Sequence, residues 1–207
     1  RALVIFLLCF PVFLAVYPGF FVYDAQDELL QVVTRNFSTH HPLFHVLLLG
    51  GIIQSVYKIT GSYNLGIACY TLLQMGVMSF IFGGCVEILK DRGLRRPWRV
   101  GLTLYFGLWP VLGMFSLCCA KDGVFTGMLL ITVLLLQELC TCPEKYSGAR
   151  LLAPGASALF MMLLRHNGFY AFCVFAVVCT VYLRNYRKKM AVFFGSVILL
   201  YLGVNAA

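Results

Sequence analysis

Long apolar runs alternate along the chain with short polar and basic segments. A helix needs about 20 apolar residues, at roughly 1.5 Å each, to cross the hydrocarbon core of a bilayer. Apolar windows near that length lie at residues 2–22, 63–89, 100–117, 123–140, 151–164, 168–183 and 190–205. The pattern predicts an all-α, polytopic membrane protein with about seven transmembrane helices. Without an internal repeat or a long linker, residues 1–207 are interpreted as a single integral membrane module.

Two segments of the first long loop, residues 23–62, break this alternation. From Asp24 onward the polar residues recur with a helical period, which predicts an amphipathic helix on the membrane surface. The next segment, residues 42–58, is apolar enough to resemble an eighth span, but it begins at a proline and contains Gly50-Gly51, a weak point in a helix. Both are predicted to be juxtamembrane helices.

The composition agrees with a surface that mostly faces lipid. Hydrophobic residues make up 61% of the 207 residues and charged ones 12%, and the mean hydropathy is +0.88. Soluble domains carry about 45–50% apolar and about 25% charged residues. A nucleic-acid-binding domain, a disulfide-rich secreted module and a disordered tail are therefore excluded, since each needs a hydrophilic exterior.

The basic residues are distributed very unevenly. Of sixteen lysines and arginines, twelve are Arg1 or lie in the loops 90–99, 141–150 and 184–189. Cytoplasmic loops carry the excess of Lys and Arg, so these loops and the N-terminus are predicted to be cytoplasmic. The loop 23–62 and the turns 118–123 and 165–168 then lie outside, and we expect a bacterial plasma membrane. This orientation also disfavours a crossing by residues 42–58.

Titratable residues concentrate in the loops predicted to be outside. Asp24, Asp27 and Glu28 fall within about one and a half helical turns. Such crowding raises at least one pKa or recruits a cation, and the cluster permits Mg²⁺ or Mn²⁺ without requiring either. A simpler interpretation makes Asp24 the N-cap, with the other acids stabilising the positive helix end. That interpretation leaves His40 and His41 unexplained.

These motifs resemble the GT-C superfamily of integral membrane glycosyltransferases. The similarity lies in a first span, an outer loop with an aspartate that opens an interfacial helix, and a His-Pro, His41-Pro42, that opens a second one. The protein O-mannosyltransferase and aminoarabinose transferase type, and an uncharacterised bacterial subgroup, are the most similar. The resemblance implies a shared module of seven spans with two juxtamembrane helices in the first outer loop.

The resemblance also implies a reaction: transfer of a sugar from a polyprenyl-phosphate donor in the membrane to an acceptor on the outer face. Asp24 corresponds to the catalytic carboxylate, with Asp27 as the fallback. The substrate-binding residues that it implies are His41, Lys121, Asp122, Arg165, His166 and Asn167. We also expect Glu28 to hold the acceptor or a divalent cation, and His40 to be among the outer-face cations available to the donor phosphate. The outer domain and extra spans of full-length relatives are missing, so we expect a fragment that lacks a C-terminal part.

Other classes of function stay open. A multi-pass transporter or lipid flippase is the main alternative, although the spans contain no central charge and no inverted repeat. An intramembrane metalloprotease is disfavoured, because His41 and His45 lack the glutamate of an H-E-x-x-H motif and His41 is followed by proline. A noncatalytic subunit is a further alternative, and the sequence determines neither the sugar nor the acceptor.

Overall fold

A computed structural model describes residues 1–206, and in this part the chain is helical apart from short connections. The helices are α1 (Ala2–Ala15), α2 (Tyr23–Thr34), α3 (Leu43–Thr60), α4 (Tyr63–Asp91), α5 (Arg96–Leu108), α6 (Pro110–Leu117), α7 (Lys121–Thr141), α8 (Leu152–Leu164), α9 (His166–Tyr182) and α10 (Arg187–Ala206). Short 3₁₀ turns lie at Pro143–Lys145, Gly148–Leu151 and Arg184–Tyr186.

Four helices among residues 1–206 are long and apolar enough to cross a membrane, namely α3, α4, α7 and Arg184–Asn205, which includes most of α10. The pair α5 and α6 provides a fifth if it is one broken span. Three shorter apolar helices cover Ala2–Ala15, Gly148–Leu164 and His166–Tyr182. The chain is therefore a helical membrane protein, and the count of seven crossings stays a prediction.

Two predicted spans have different limits in the structure. The first apolar window, 2–22, forms a helix only as far as Ala15. The window 100–117 is broken at Trp109, where α5 and α6 meet at 55°. Pro110 explains this break, because proline lacks the backbone N–H and disfavours a helical conformation in the residue before it; Trp109 is accordingly extended, with φ −68° and ψ 118°.

The chain divides into two compact units, Arg1–Gly127 and Met128–Ala207, of which the second is described as far as residue 206. In the first unit α4 is the central helix and packs against α1, α3, α5 and α6, while α2 packs on α3. In the second unit α8, α9 and α10 pack against one another in pairs, and the rings of Phe172 and Phe194 meet edge to face at 5.6 Å.

Close helix packing explains the glycines of α3 and α4. A Cβ on Gly50 would lie 2.8 Å from Val32 Cβ, and a Cβ on Gly66 would lie 2.9 Å from the carbonyl oxygen of Ile53. The expectation that Gly50-Gly51 marks a weak point is wrong, because α3 runs unbroken from Leu43 to Thr60. Gly50 instead lets α2 approach α3 closely.

A backbone link brings together two connections that are far apart in sequence. Phe20 N donates to Leu117 O at 3.0 Å, and Cys119 N donates to Phe20 O at 3.0 Å. Gln74 of α4 supports the link, since its Nε2 donates to the carbonyls of Phe115 and Cys118. The start of α2 is thereby held beside the start of α7.

Candidate functional site

Asp24 lies in the first turn of α2 and does not cap the helix. The N-cap residue is Val22, and no side chain caps this end of α2. The capping interpretation of Asp24 is therefore wrong. As the second residue of the helix, Asp24 still benefits from the positive end of the helix dipole.

Lys121 is the partner of Asp24. Residues 118–123 were expected to form a turn, but α7 begins at Lys121, so Lys121 and Asp122 belong to its first turn. Lys121 Nζ donates to Asp24 Oδ2 at 2.9 Å. Lys121 is 8% exposed, whereas the Asp24 side chain is 46% exposed. The hydrogen bond and the charge of Lys121 hold the pKa of Asp24 below its ordinary value, so Asp24 is a carboxylate at neutral pH.

Two more side chains surround the ammonium group of Lys121. His41 Nδ1 lies 3.0 Å from Lys121 Nζ, and Glu28 Oε1 lies 3.8 Å from the same atom. Glu28 Oε1 is also 3.3 Å from His41 Nδ1, and the Glu28 side chain is only 1% exposed. A buried lysine is costly unless carboxylates compensate its charge. Lys121 is thus compensated by Asp24 on the exposed side and by Glu28 on the buried side.

A second branch of the network continues from Glu28 into the helix bundle. Glu28 Oε2 contacts His45 Nδ1, and His45 Nε2 lies 2.7 Å from the Tyr70 hydroxyl. Both His45 and Tyr70 are buried. When His45 Nδ1–H donates to the carboxylate, Nε2 accepts a hydrogen bond from the Tyr70 hydroxyl, so each ring nitrogen of His45 has a partner.

We refer to Asp24, Glu28, His41, His45, Tyr70 and Lys121 as the polar cluster. Its members come from the N-terminal parts of α2, α3, α4 and α7 and from the residue just before Pro42. No group of three or more His, Cys, Asp or Glu side chains suited to a metal ion occurs within residues 1–206. Lys121 supplies the positive charge at the centre of the polar cluster, and Asp24 is its exposed carboxylate.

The remaining predicted site residues lie outside the polar cluster. Asp27 and His40 line an open cavity on the neighbouring side of α2. Asp122 is half-buried. Arg165, His166 and Asn167 belong to the second unit and are exposed; only Arg165 lies between helices there, because α9 already begins at His166. His166 Nδ1 lies 3.1 Å from the Tyr201 hydroxyl in the same unit.

Sequence reasoning missed two members of the polar cluster. His45 follows His41 by four residues, across the start of α3, and both imidazoles lie against the carboxylate of Glu28. The sequence spacing of the two histidines is a usable signal that they share one partner, which here is the buried Glu28. Tyr70 gave no signal, because one tyrosine in a long apolar run is indistinguishable from a core aromatic residue.

The chain belongs to the family of unknown function DUF6020, which it matches over residues 3–207. No curated protein and no solved structure matches it.

Proposed function

We propose that this member of the DUF6020 family is a membrane glycosyltransferase that moves a sugar from a polyprenyl-phosphate donor to a hydroxyl acceptor at the outer face of a bacterial plasma membrane. One observation carries the proposal. Asp24 is a half-exposed carboxylate held by a buried lysine, at the position where the chain resembles the GT-C superfamily. A rigid carboxylate at one end of a helix bundle suits a reaction in which one substrate is anchored in lipid.

The reaction requires little chemistry from the protein. The acceptor oxygen forms a bond to the anomeric carbon, and the bond from that carbon to the phosphate oxygen breaks. The lipid phosphate leaves with the electron pair, and the proton of the acceptor hydroxyl passes to Asp24. A carboxylate with a lowered pKa is a weak base, so Asp24 mainly orients the hydroxyl and takes the proton late, when bond formation has made that proton acidic.

Lys121 acts on Asp24 in this proposal and does not bind the donor phosphate. Its ammonium group is buried between Asp24, Glu28 and His41. Arg165, the other cation expected to contact the phosphate, belongs to the second unit, and its role stays a prediction.

Internal contacts of the first unit support the proposed topology. Lys121 contacts Asp24, and the backbone of Phe20 bonds to Leu117 and Cys119, so we expect residues 20–24 and 117–121 to lie on one side of the membrane. An even number of crossings must separate them. If the pair α5–α6 is one broken span and not a re-entrant loop, it gives two crossings together with α4, and a third crossing by α3 would make the number odd. The parity favours α3 as a juxtamembrane helix, although its length would allow it to cross.

Cysteine labelling from either side tests this topology. In a variant without the nine native cysteines, Ser62→Cys and Arg95→Cys flank α4. We expect a membrane-impermeant thiol reagent to label position 62 from outside and position 95 only from the cytoplasm. The opposite result would mean that α3 crosses or that the orientation is reversed, and the outer-face proposal would be withdrawn.

Replacement of Asp24 tests the reaction itself. Asp24→Asn keeps the size of the side chain and removes its charge, so we expect normal folding and a loss of sugar transfer of about 10²-fold or more. The assay follows transfer from a labelled polyprenyl-phosphate sugar by protein in lipid nanodiscs. Asp91→Asn is the matched control, because Asp91 is an exposed carboxylate at the far end of α4. Wild-type transfer by Asp24→Asn would refute the role of Asp24.

A further inference from the structure

A cavity of about 400 Å³ adjoins the polar cluster. Its walls are one side of α2 and the connection from α2 to α3, and they include Asp27, Gln31, Asn36, Ser38, His40 and His41. Small-molecule sites are typically about 300–1,000 Å³ and place a few polar groups on concave walls. The cavity therefore has the volume of a small-molecule site, and its walls are more polar than is usual for one.

The chemistry of the walls indicates the class of ligand. They contain amides, hydroxyls, imidazoles and one carboxylate, and they contain no lysine or arginine. Phosphate recognition depends on cationic donors, above all the fixed charges of arginine and lysine, and these walls offer only the two imidazoles of His40 and His41. Groups that both donate and accept hydrogen bonds suit neutral hydroxyls, each of which is both a donor and an acceptor.

Hydrogen bonds already fix part of the cavity and leave other groups available. Ser38 N donates to Gln31 Oε1 at 3.0 Å, which ties the connection to α2. The side chains of Asp27 and Asn36 make no hydrogen bond or ion pair with the described residues 1–206. A carboxylate and an amide on the same concave wall are thus open to a ligand.

His41 joins the cavity to the polar cluster. Its ring lines the cavity, and its Nδ1 lies 3.0 Å from Lys121 Nζ. A ligand in the cavity is thereby separated by one side chain from the lysine that holds Asp24. This adjacency is what a transferase needs between a group that binds a sugar and the carboxylate that orients the acceptor.

We infer that this cavity binds a neutral, hydroxyl-bearing sugar ring, with Asp27 and Asn36 as hydrogen-bond partners of its hydroxyls. The inference rests on the proposed glycosyltransferase function and assigns part of its substrate recognition. The sugar belongs either to the lipid-linked donor or to a glycan acceptor, which share this chemistry.

Direct binding tests the inference without any transfer reaction. Saturation-transfer NMR on protein in lipid nanodiscs, free of glycoside detergent, compares methyl α-mannoside and methyl β-glucoside with inorganic phosphate and ethanolamine. We expect signals from at least one glycoside and none from phosphate or ethanolamine. Asp27→Ala or Asn36→Ala should weaken glycoside binding about fivefold to tenfold, the effect of losing one hydrogen bond to a ligand. Asn64→Ala, an exposed amide at the start of α4, should leave it unchanged.

Several results would overturn the inference: no glycoside signal, preferential binding of phosphate or ethanolamine, or unchanged binding by both cavity variants. The two cavity variants replace different residues, so if one of them fails to fold, the other still tests the inference. Glycoside binding without sugar transfer would support the cavity and refute the proposed function. Transfer with KM values for donor and acceptor unchanged in both variants would refute the cavity, and a rise in only one KM would identify which substrate carries the sugar.

Discussion

The two polar sides of α2 differ sharply although they carry the same kinds of residue. On one side, the paired side, Asp24 and Glu28 contact Lys121, His41 and His45. On the other side, the open side, Asp27 and Gln31 line the open cavity. Each pair is spaced by four residues, so each forms its own row along the helix. Three acids in one short stretch are therefore not one site but two, which differ in their partners, and only Glu28 is buried.

The difference arises from elements that are distant in sequence. Gly50 lets α3 approach α2 on the Glu28 side, and the backbone link at Phe20 brings Lys121 to Asp24. Asp27 instead lines the cavity. A rotation of about 100° per residue along the helix thus determines which acid becomes part of the buried network.

Removal of Glu28 should have the largest effect on the paired side. Glu28→Ala leaves Lys121, His41 and His45 buried without their shared carboxylate. Breaking a buried ion pair by removing one partner costs about 3–5 kcal/mol, and we expect a loss of that size in the free energy of unfolding. Reversible unfolding in mixed micelles measures it. Asp27→Ala is the comparison on the open side and should change stability by no more than about 0.5 kcal/mol. Similar losses in the two variants would mean that the two sides of α2 are not energetically distinct.

Close packing between α2 and α3 gives the second prediction. Gly50→Ala places a Cβ 2.8 Å from Val32 Cβ, so α2 must shift or strain, and overpacking of this kind costs about 1–3 kcal/mol. Gly51 is the matched control. No atom lies within 4 Å of a Cβ built on it, so Gly51→Ala should raise stability by up to about 1 kcal/mol through helix propensity.

The same unfolding assay compares the two glycine variants. If Gly50→Ala were as stable as Gly51→Ala, α2 would not be held tightly against α3. The separation of the paired and open sides would then depend on Lys121 and the histidines alone.

The sequence predicted the helices better than it predicted which side chains contact each other. Its helical period predicted a helix from Asp24 onward, where α2 begins at Tyr23, and the charge distribution assigned Asp24, His41 and Lys121 to the same side of the membrane before any contact was known. Pattern reasoning could not pair Lys121 with Asp24 specifically, because 97 residues separate them. It also made Glu28 a substrate-binding residue, whereas the side chain is buried. Periodicity marks polar positions, but only packing determines whether a polar side chain faces solvent or another helix.

The break at Trp109 and the end of α1 at Ala15 show a related limit. Both windows are apolar throughout, so hydropathy alone extends the helix across them. Proline was the available signal: Pro110 follows Trp109, and Pro18 follows the end of α1 by three residues. Hydropathy therefore predicts which segments of the chain can face lipid, but it does not predict the residue at which a helix ends.

The smallest expected effect concerns the titration of Asp24. Its pKa in the folded protein lies below the ordinary value of about 3.9, mainly because Lys121 donates a hydrogen bond to it. The pair thus stabilises the fold above that ordinary value, and the stabilisation is lost as the pH falls through the lower pKa of the folded state. The energy involved is small, because solvent screens a half-exposed carboxylate.

Lys121→Met removes both the hydrogen bond and the charge, so the pKa of Asp24 should rise to the ordinary value or above it, since partial burial still disfavours the charged form. The carbon-13 shift of the Asp24 carboxyl, followed by NMR between about pH 2 and pH 7 on protein in nanodiscs, measures this midpoint against the ordinary value. Lys58→Met is the control, because Lys58 is an exposed lysine in the last turn of α3. Equal midpoints in wild type and Lys121→Met would show that Lys121 is held by Glu28 alone, and Asp24 would then belong with Asp27 among the unpaired acids of α2.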